Sequence, residues 1–324
     1  MLKTLLALTL ALALADAHSQ TGEERPWPQR AIRMVVPAGP GSSADARARW
    51  LAQRLGTALG QTVYVDDRPG AGGNLGMELG AHAAPDGYTL VLVHQGTMTV
   101  NPHLYRHTGY DALADLVPVA RLGVTPMVLA VNPTLPAASV AELIRLAKAR
   151  PGTLSFGTPG QGTPPHLAGE LFRRAAGIDV VHVPYKGGGQ AIADLIAGQI
   201  SFTLEGAVTM LPQVKAGKLR ALATTGARRM AMLPAVPTLA ESGLDACEYE
   251  TWTGVAVPAG TPPAIVQRLA GEIDRIYGSP DGVDYLATTG SERRPESPAA
   301  FAADIRRESA HWAAFIRDTG LRAE

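Results

Sequence analysis

Short apolar runs alternate along the chain with stretches in which apolar residues recur every three or four positions. The first run, Ile32–Val36, predicts a strand, and the stretch after it predicts a helix. The apolar positions on one face of this helix are Ala44, Ala48, Leu51, Ala52, Leu55 and Leu59. Residues 61–65 predict a second strand, so the chain opens with a β-α-β unit of two parallel strands and a right-handed crossover.

The same alternation continues to the end of the chain. Further strands are predicted over residues 88–93, 118–121, 127–131, 154–157, 180–184, 200–204, 219–224 and 249–257. Helices are predicted over residues 75–83, 140–149, 164–176, 190–197, 212–217 and 299–319, with one more from a cap at 261–263 to Tyr277. Repeated strand-loop-helix units indicate an α/β protein with mostly parallel sheets that helices cover on both faces.

Two strand-to-helix junctions are rich in glycine and proline. The first, residues 35–45, ends in Ser42-x-x-Asp45, which matches a capping box, and the second ends in Thr163 followed by a proline at the first helical position. The first N–H groups of a helix lack partners and carry positive partial charge, so such a junction favours a carboxylate or phosphate. Taken alone, the first junction is better explained as an ordinary capped turn than as a binding site. The repetition favours a binding site.

Two further loops follow predicted strands, and they begin at His94 and Glu205. Ligands of open α/β sheets bind outside the carboxyl ends of the strands. If two sheets face each other, the loops after the strands that end at Val36, Val93, Phe156 and Leu204 line the crevice between them. That crevice would bind a small carboxylate mainly through backbone N–H groups.

Composition excludes several classes of protein. The 29 basic and 29 acidic residues give a net charge of +0, so no nucleic acid or anionic membrane surface is expected as a partner. The single cysteine, Cys247, cannot form an intramolecular disulfide. His103 and His107 lack the glutamate of the zincin pattern, and Lys186 precedes its glycines instead of following them, so neither a metal site nor a Walker loop is predicted.

The first residues predict a secretory signal peptide. Lys3 is followed by an apolar stretch over residues 5–14 that is too short to span a bilayer, and Ala15-Asp16-Ala17 offers an A-x-A cleavage site. We therefore expect residues 1–17 to be removed and the mature protein to be exported.

Seven spaced segments carry a resemblance to a known family. They lie at residues 35–45, 68–74, 84–90, 183–189, 216–222, 236–238 and 258–263, and they read in part Arg-Pro-Gly-Ala-Gly-Gly-Asn, Ala-Pro-Asp-Gly-Tyr-Thr-Leu and Val-Pro-Tyr-Lys-Gly-Gly-Gly. Together they resemble the receptors of tripartite tricarboxylate transporters, also called Bug proteins, over essentially the whole mature chain. The resemblance implies a two-lobed, type II-like periplasmic binding protein with a central cleft that closes on an organic acid and delivers it to a membrane permease.

The resemblance also implies a division of the chain and a set of ligand contacts. Lobe 1 would comprise residues 26–124 and 246–324, and lobe 2 residues 125–245. The receptor is expected to act as a monomer without metal or cofactor. The implied ligand-binding residues are Ala38, Gly39, Pro40, Gly41, Ser42, Ser43, Asp45, His94, Gln95, Gly96, Thr97, Gly160, Gln161, Gly162, Thr163, His166 and Glu205.

The sequence departs from the family pattern at three places. Family loops usually read Pro-Pro-Gly-Gly with an aromatic residue, whereas this first loop reads Pro-Ala-Gly-Pro-Gly-Ser at residues 37–42. His94 and Gln95 replace small hydroxylated residues, and Glu205 stands where aspartate is commoner. These changes favour a different or bulkier acid, including an aromatic one.

The alternative is an exported enzyme. Gly39-x-Gly41-x-x-Ala44 fits a loose dinucleotide fingerprint, and Asp66 and Asp67 end the next strand where a ribose-binding acid belongs. No Gly-x-Ser-x-Gly sequence supports a hydrolase. The predicted signal peptide and the receptor-like layout weigh against the enzyme, so we expect a binding protein.

Overall fold

Strands and helices alternate through the computed structural model, which describes residues 27–322 except 162 and 186. The strands are β1 (Ile32–Val36), β2 (Val63–Asp67), β3 (Thr89–His94), β4 (Leu116–Val131), β5 (Ser155–Thr158), β6 (Val181–Pro184), β7 (Phe202–Gly206), β8 (Arg220–Thr224) and β9 (Glu250–Pro258). The helices are α1 (Ser43–Leu59), α2 (Asn74–Ala81), α3 (Asn101–Leu104), α4 (Val140–Ala149), α5 (Pro164–Ala176), α6 (Gly188–Ile196), α7 (Ala207–Lys215), α8 (Pro263–Gly278), α9 (Pro280–Thr288) and α10 (Pro298–Thr319). The predicted α/β class is confirmed. The predicted signal peptide and Gly162 lie outside the described residues.

One sheet carries both halves of the molecule, in the strand order β2-β1-β3-β9-β4-β7-β5-β6, with β8 paired to β4. At one end β1 pairs in parallel with β2 and β3, and at the other end β5 pairs in parallel with β6 and β7. Strands β4 and β9 join the two ends and pair antiparallel with each other. Strand β9 also pairs antiparallel with β3, and β4 pairs antiparallel with β7 and β8. Parallel β-α units, which we call the first unit (β1 to β3) and the second unit (β5 to β7), thus lie at the two ends.

Strand β4 corrects one prediction, because the two short strands expected at 118–121 and 127–131 are one strand of 16 residues. Its first part pairs with β9, and its last part, from Met127 to Val131, pairs with β7 and β8. Register shifts next to Pro118 and Arg121 let the strand continue past residues that interrupt a regular ladder. A single strand therefore runs from the first unit into the second.

Other boundaries also differ from the sequence prediction. No loop occupies residues 94–97: His94 ends β3, and a π-helical turn over Gly96–Val100 follows and leads into α3. Glu205 lies within β7 instead of after it, and α7 begins at Ala207, before the predicted start at residue 212. Helix α9 was not predicted; its cap is Ser279, whose hydroxyl accepts the Gly282 N–H at 3.1 Å.

Separate apolar cores stabilise the two ends of the sheet. In the first unit β1 and β3 pack on α1 and α8 through Met34, Leu51 and Leu269, while in the second Phe156, Phe172 and Phe202 are fully buried. Helix α10 contacts both regions, since Phe301 packs with Trp252 whereas Trp312, Phe315 and Ile316 belong to the core around Phe172. Among the described helices, none is long and apolar enough to cross a membrane.

Candidate functional site

The first junction is held in shape by the start of α1. Ser42 is the predicted N-cap, and its hydroxyl accepts the Asp45 N–H at 3.2 Å. The Asp45 carboxylate is 5% exposed and accepts the Gly41 N–H at 2.8 Å, whereas the reciprocal bond of a capping box would go to Ser42. Asp45 also pairs with Arg49. Asp45 therefore holds the loop through its carboxylate.

The start of α1 leaves backbone donors for a ligand. Intrahelical bonds begin at Ala46, whose N–H donates to the Ser42 carbonyl oxygen. Ser43 and Ala44 precede it in the first turn, and no hydrogen bond within the described residues uses their N–H groups. Unpaired first-turn N–H groups and the helix dipole together form an anion site.

Two other segments approach the first junction. A Cβ atom on Gly73 would lie 3.0 Å from both the Pro37 carbonyl oxygen and Thr97 Cγ2, so only glycine allows this contact. The buried Thr97 hydroxyl donates to the His94 carbonyl oxygen at 3.0 Å. His94 is half-buried, and burial lowers the pKa of its imidazole to about 4, so His94 is neutral at neutral pH.

Gln95 lies away from this group. Its side chain is 2% exposed, its Oε1 accepts the Tyr249 O–H at 2.6 Å, and its Nε2 donates to the Glu250 carbonyl oxygen at 3.2 Å and to Glu308. The structure thus places Gln95 among β9, the segment before it and α10. Its contacts tie the end of β3 to the region where the two units join.

The second junction is arranged differently from the first. Thr163 is the N-cap of α5, but its hydroxyl donates to the Gly160 carbonyl oxygen at 2.7 Å instead of accepting from the helix. Pro164 and Pro165 occupy the first turn, and proline has no N–H. Helix α5 therefore offers fewer backbone donors at its start than α1.

A histidine from the next strand supports this junction. His182 Nε2 lies 2.7 Å from Thr158 Oγ1, which accepts the Gly160 N–H at 3.3 Å. The His182 ring stacks on that of His166 with centroids 4.1 Å apart, and Phe156 stacks on His182 at 4.9 Å. His166 is 3% exposed, and burial, together with the neighbouring His182, lowers its pKa to about 4. The His166 imidazole is thus packed inside the second unit.

Glu205 lies beside the second junction. One carboxylate oxygen accepts the N–H of Gly206 at 2.8 Å. The other, Oε2, lies 3.1 Å from the position that a Cβ atom on Gly188 would occupy, and Pro159 Cγ is 3.5 Å from the same position. Glu205 is half-buried, and burial raises the pKa of its carboxyl. The ends of β5 and β7 and the start of α6 thus meet here.

The predicted residues form two groups. The first contains the junction of residues 38–45 with His94, Gly96 and Thr97, and the second contains Gly160, Thr163 and Glu205. Gln161, Pro40, Gly41 and Ser43 are exposed, and Ala38 and Gly39 are half-buried. Four residues next to these groups were predicted only as turn or strand positions: Gly73, Thr158, His182 and Gly188. The glycine-rich stretches at 70–73 and 187–189 were the only signal in the sequence for Gly73 and Gly188.

A separate polar cavity of about 400 Å³ lies between β9 and α10. Its lining includes Gln95, Arg121, Glu250, Trp252, Arg294 and Glu308. Several of these polar groups contact one another: Arg121 pairs with Asp304 at 3.0 Å, Arg294 pairs with Glu250, and Glu308 accepts the Trp252 Nε1–H at 2.7 Å.

The acids expected to bind a ribose are also paired. Asp66 lies between Arg33 and Arg68, and Asp67 pairs with Arg49 at 2.9 Å. The two carboxylates that a dinucleotide site would need for the ribose are therefore already paired with arginines.

Comparison with known proteins finds one family model and several related proteins and structures that cover most of this chain. The family model described as "Tripartite tricarboxylate transporter family receptor" matches residues 47–321. Protein BugT of Bordetella pertussis is 38% identical over 300 residues, which is 91% of each chain. The structure of Rpa4515 from R. palustris with adipate is 35% identical, has a TM-score of 0.80 and covers 92% of this chain and 99% of its own. MatC from Rhodopseudomonas palustris with bound malate is 30% identical, with a TM-score of 0.75 and coverage of 89% and 99%.

Proposed function

The chain belongs to the tripartite tricarboxylate transporter receptor family, and from that premise we propose that it binds a small organic carboxylate between its two units and delivers it to a membrane permease. It is a solute receptor of the α/β periplasmic binding protein class. Adipate in Rpa4515 and malate in MatC support a carboxylate as the ligand. The observation that carries the proposal is the capped start of α1, where Ser43 and Ala44 offer unpaired N–H groups.

We assign the ligand contacts to the two groups of residues. In the first, residues 38–43 surround the carboxylate, Asp45 holds their loop, and His94, Gly96 and Thr97 line its side. In the second, residues 160–163 and Glu205 contact the other end of the ligand. Gln95 and His166 support these loops from within the protein, through the contacts described above.

Binding is proposed to close the two lobes, residues 26–124 with 246–324 and residues 125–245. Strands β4 and β9 run between the units and act as the hinge region. A ligand that contacts both groups favours the closed form, because only that form allows all of its contacts at once. The closed receptor then presents one surface to the permease. The predicted signal peptide supports a periplasmic location.

A thermal-shift screen tests this proposal. The purified receptor is heated with a panel of dicarboxylates, tricarboxylates, amino acids, aromatic acids and nucleotides. A ligand at about 100 times its dissociation constant adds about 2.7 kcal/mol to the free energy of unfolding. We expect stabilisation by one class of carboxylate. Stabilisation by dinucleotides alone would contradict the receptor assignment and favour the enzyme.

A further inference from the structure

One arginine is buried in the helix that begins at the first junction. Arg47 lies on α1, one turn after Ser43, and is 9% exposed. Within the described residues no carboxylate forms an ion pair with Arg47, whereas Asp45 and Asp67 both pair with Arg49. Burying a cation without a counter-charge costs stability, and an apolar residue of similar size avoids that cost. The charge of Arg47 therefore calls for a reason other than stability.

The Arg47 guanidinium reaches the segment between α9 and α10. Its Nη2 donates to Ser291 Oγ at 2.9 Å, and Ser291 is 6% exposed. The same hydroxyl oxygen lies 2.8 Å from Oγ1 of Thr125 on β4. The Thr125 carbonyl oxygen in turn accepts the hydroxyl of Thr251 on β9 at 3.1 Å. A chain of hydrogen-bonded residues thus runs from α1 to both strands that join the units.

This chain of residues meets β4 and β9 at the point where the units join. Thr125 pairs with Thr251 across the two strands, and from Met127 onward β4 pairs with β7 of the second unit. In the proposed closure the sheet bends close to this point, because β4 and β9 run between the units. Arg47 therefore connects the helix of the first junction to the hinge region.

We propose that Arg47 is a positioning residue for ligand binding. It fixes the start of α1 relative to the hinge, so that an acid held at the first junction meets the second unit when the lobes close. Arg47 acts through Ser291 and Thr125, not by contact with the acid. This role rests on the proposed function, because it concerns binding in the same cleft.

Loss of the chain should weaken the closed form. Without it the first turn of α1 can shift against β4, and the acid is less well placed for the second unit. Poorer alignment lowers the stability of the closed form relative to the open one. The acid then leaves faster, while its association rate changes little.

Arg47→Met tests the role, since methionine keeps an apolar stem and removes the guanidinium. The probe is the member of the thermal-shift panel that stabilises the wild type most. We expect its affinity to fall about tenfold and the melting temperature to stay the same or rise, because the uncompensated buried cation is gone. Calorimetric titration gives the dissociation constant and the fraction of active protein separately. Stopped-flow fluorescence gives the dissociation rate, which should rise by about the same factor.

Ser291→Ala removes only the middle hydroxyl of the chain and serves as the second variant. It should weaken binding by a similar factor. The double variant of Arg47→Met and Ser291→Ala should bind about as well as the weaker single variant, because both changes break the same chain.

Arg54→Met is the matched control. Arg54 lies further along α1, stacks over Trp50 at 3.9 Å and pairs with Asp281 of α9 at 2.6 Å, a link that does not include Ser291 or β4. It should bind as the wild type does.

Four results would overturn the role of Arg47 while the wild type still binds the probe. They are unchanged affinity in Arg47→Met, a loss confined to its fraction of active protein, additive losses in the double variant, and an equal loss in Arg54→Met. If no panel member binds the wild type, the proposed function fails, and the role of Arg47 fails with it.

Discussion

Single polar side chains set the shape of both loops. Asp45 accepts the Gly41 N–H in the first junction, and His182 contacts Thr158 Oγ1 in the second. Neither side chain needs to touch a ligand to matter, because each fixes a backbone N–H of a loop.

The buried His166 makes stability depend on pH. Burial lowers the pKa of its imidazole from 6.5 to about 4, so between these values the unfolded chain binds more protons than the folded one. Its contribution is therefore complete above pH 6.5 and is lost as the pH falls toward 4. We expect the free energy of unfolding to drop over this window by on the order of 3 kcal/mol more in the wild type than in His166→Phe.

Urea denaturation at several pH values measures this difference. Phenylalanine retains an aromatic ring for the stack with Phe156 and His182 and cannot be protonated. The same pH dependence in both proteins would show that His166 is not the group responsible.

The direction of a side chain is the part of the site that the sequence did not reveal. Capping by Ser42 is local, so the residues themselves predict it. Gln95 is different, since its partners Tyr249 and Glu308 lie 154 and 213 positions further along the chain. Only the folded sheet brings such residues together, and so the inward orientation of Gln95 could not be predicted.

Most strands and helices follow from local pattern, and the exceptions share a physical cause. Apolar periodicity located α1, α4, α5 and α10 to within a few residues. It failed at β4, where the stretch between the two predicted strands, which includes Gly123 and Pro126, pairs with β9 and continues the strand. It also missed the π-helical turn of Gly96–Val100, whose Met98 and Val100 are fully buried by tertiary contacts.

A substitution at Gly160 tests whether the second junction, the loop between β5 and α5, takes part in ligand binding. Gly160 has a φ of +141°, a conformation that side chains with a branched Cβ rarely adopt. We expect Gly160→Val to displace the loop between β5 and α5 and to abolish ligand binding, with the far-UV circular dichroism of the fold retained. Calorimetric titration with the carboxylate found by the thermal-shift screen measures the loss.

Gly271→Ala is the control for that substitution. Gly271 lies exposed within α8, and a Cβ atom placed there meets no other atom within 4 Å. It should bind as the wild type does. Wild-type affinity in Gly160→Val would remove the second junction from the site.

At the scale of the whole molecule, the units share β4, β9 and α10 instead of a single flexible linker. Helix α10 packs Phe301 near the first unit and Trp312 in the core of the second, while Gln95 bonds to Tyr249 and Glu308 between them. With equal numbers of acidic and basic residues, 29 of each, the protein has no bulk charge to attract an anion. Affinity must therefore come from local contacts in the cleft.

A crystal structure of the receptor with the carboxylate found by the thermal-shift screen would show directly whether both units contact one ligand. We expect the ligand between the two units, with one carboxylate oxygen bonded to the N–H groups of Ser43 and Ala44 and the far end beside Gly160 and Glu205. A ligand bound to one unit alone, or in the polar cavity between β9 and α10, would contradict it.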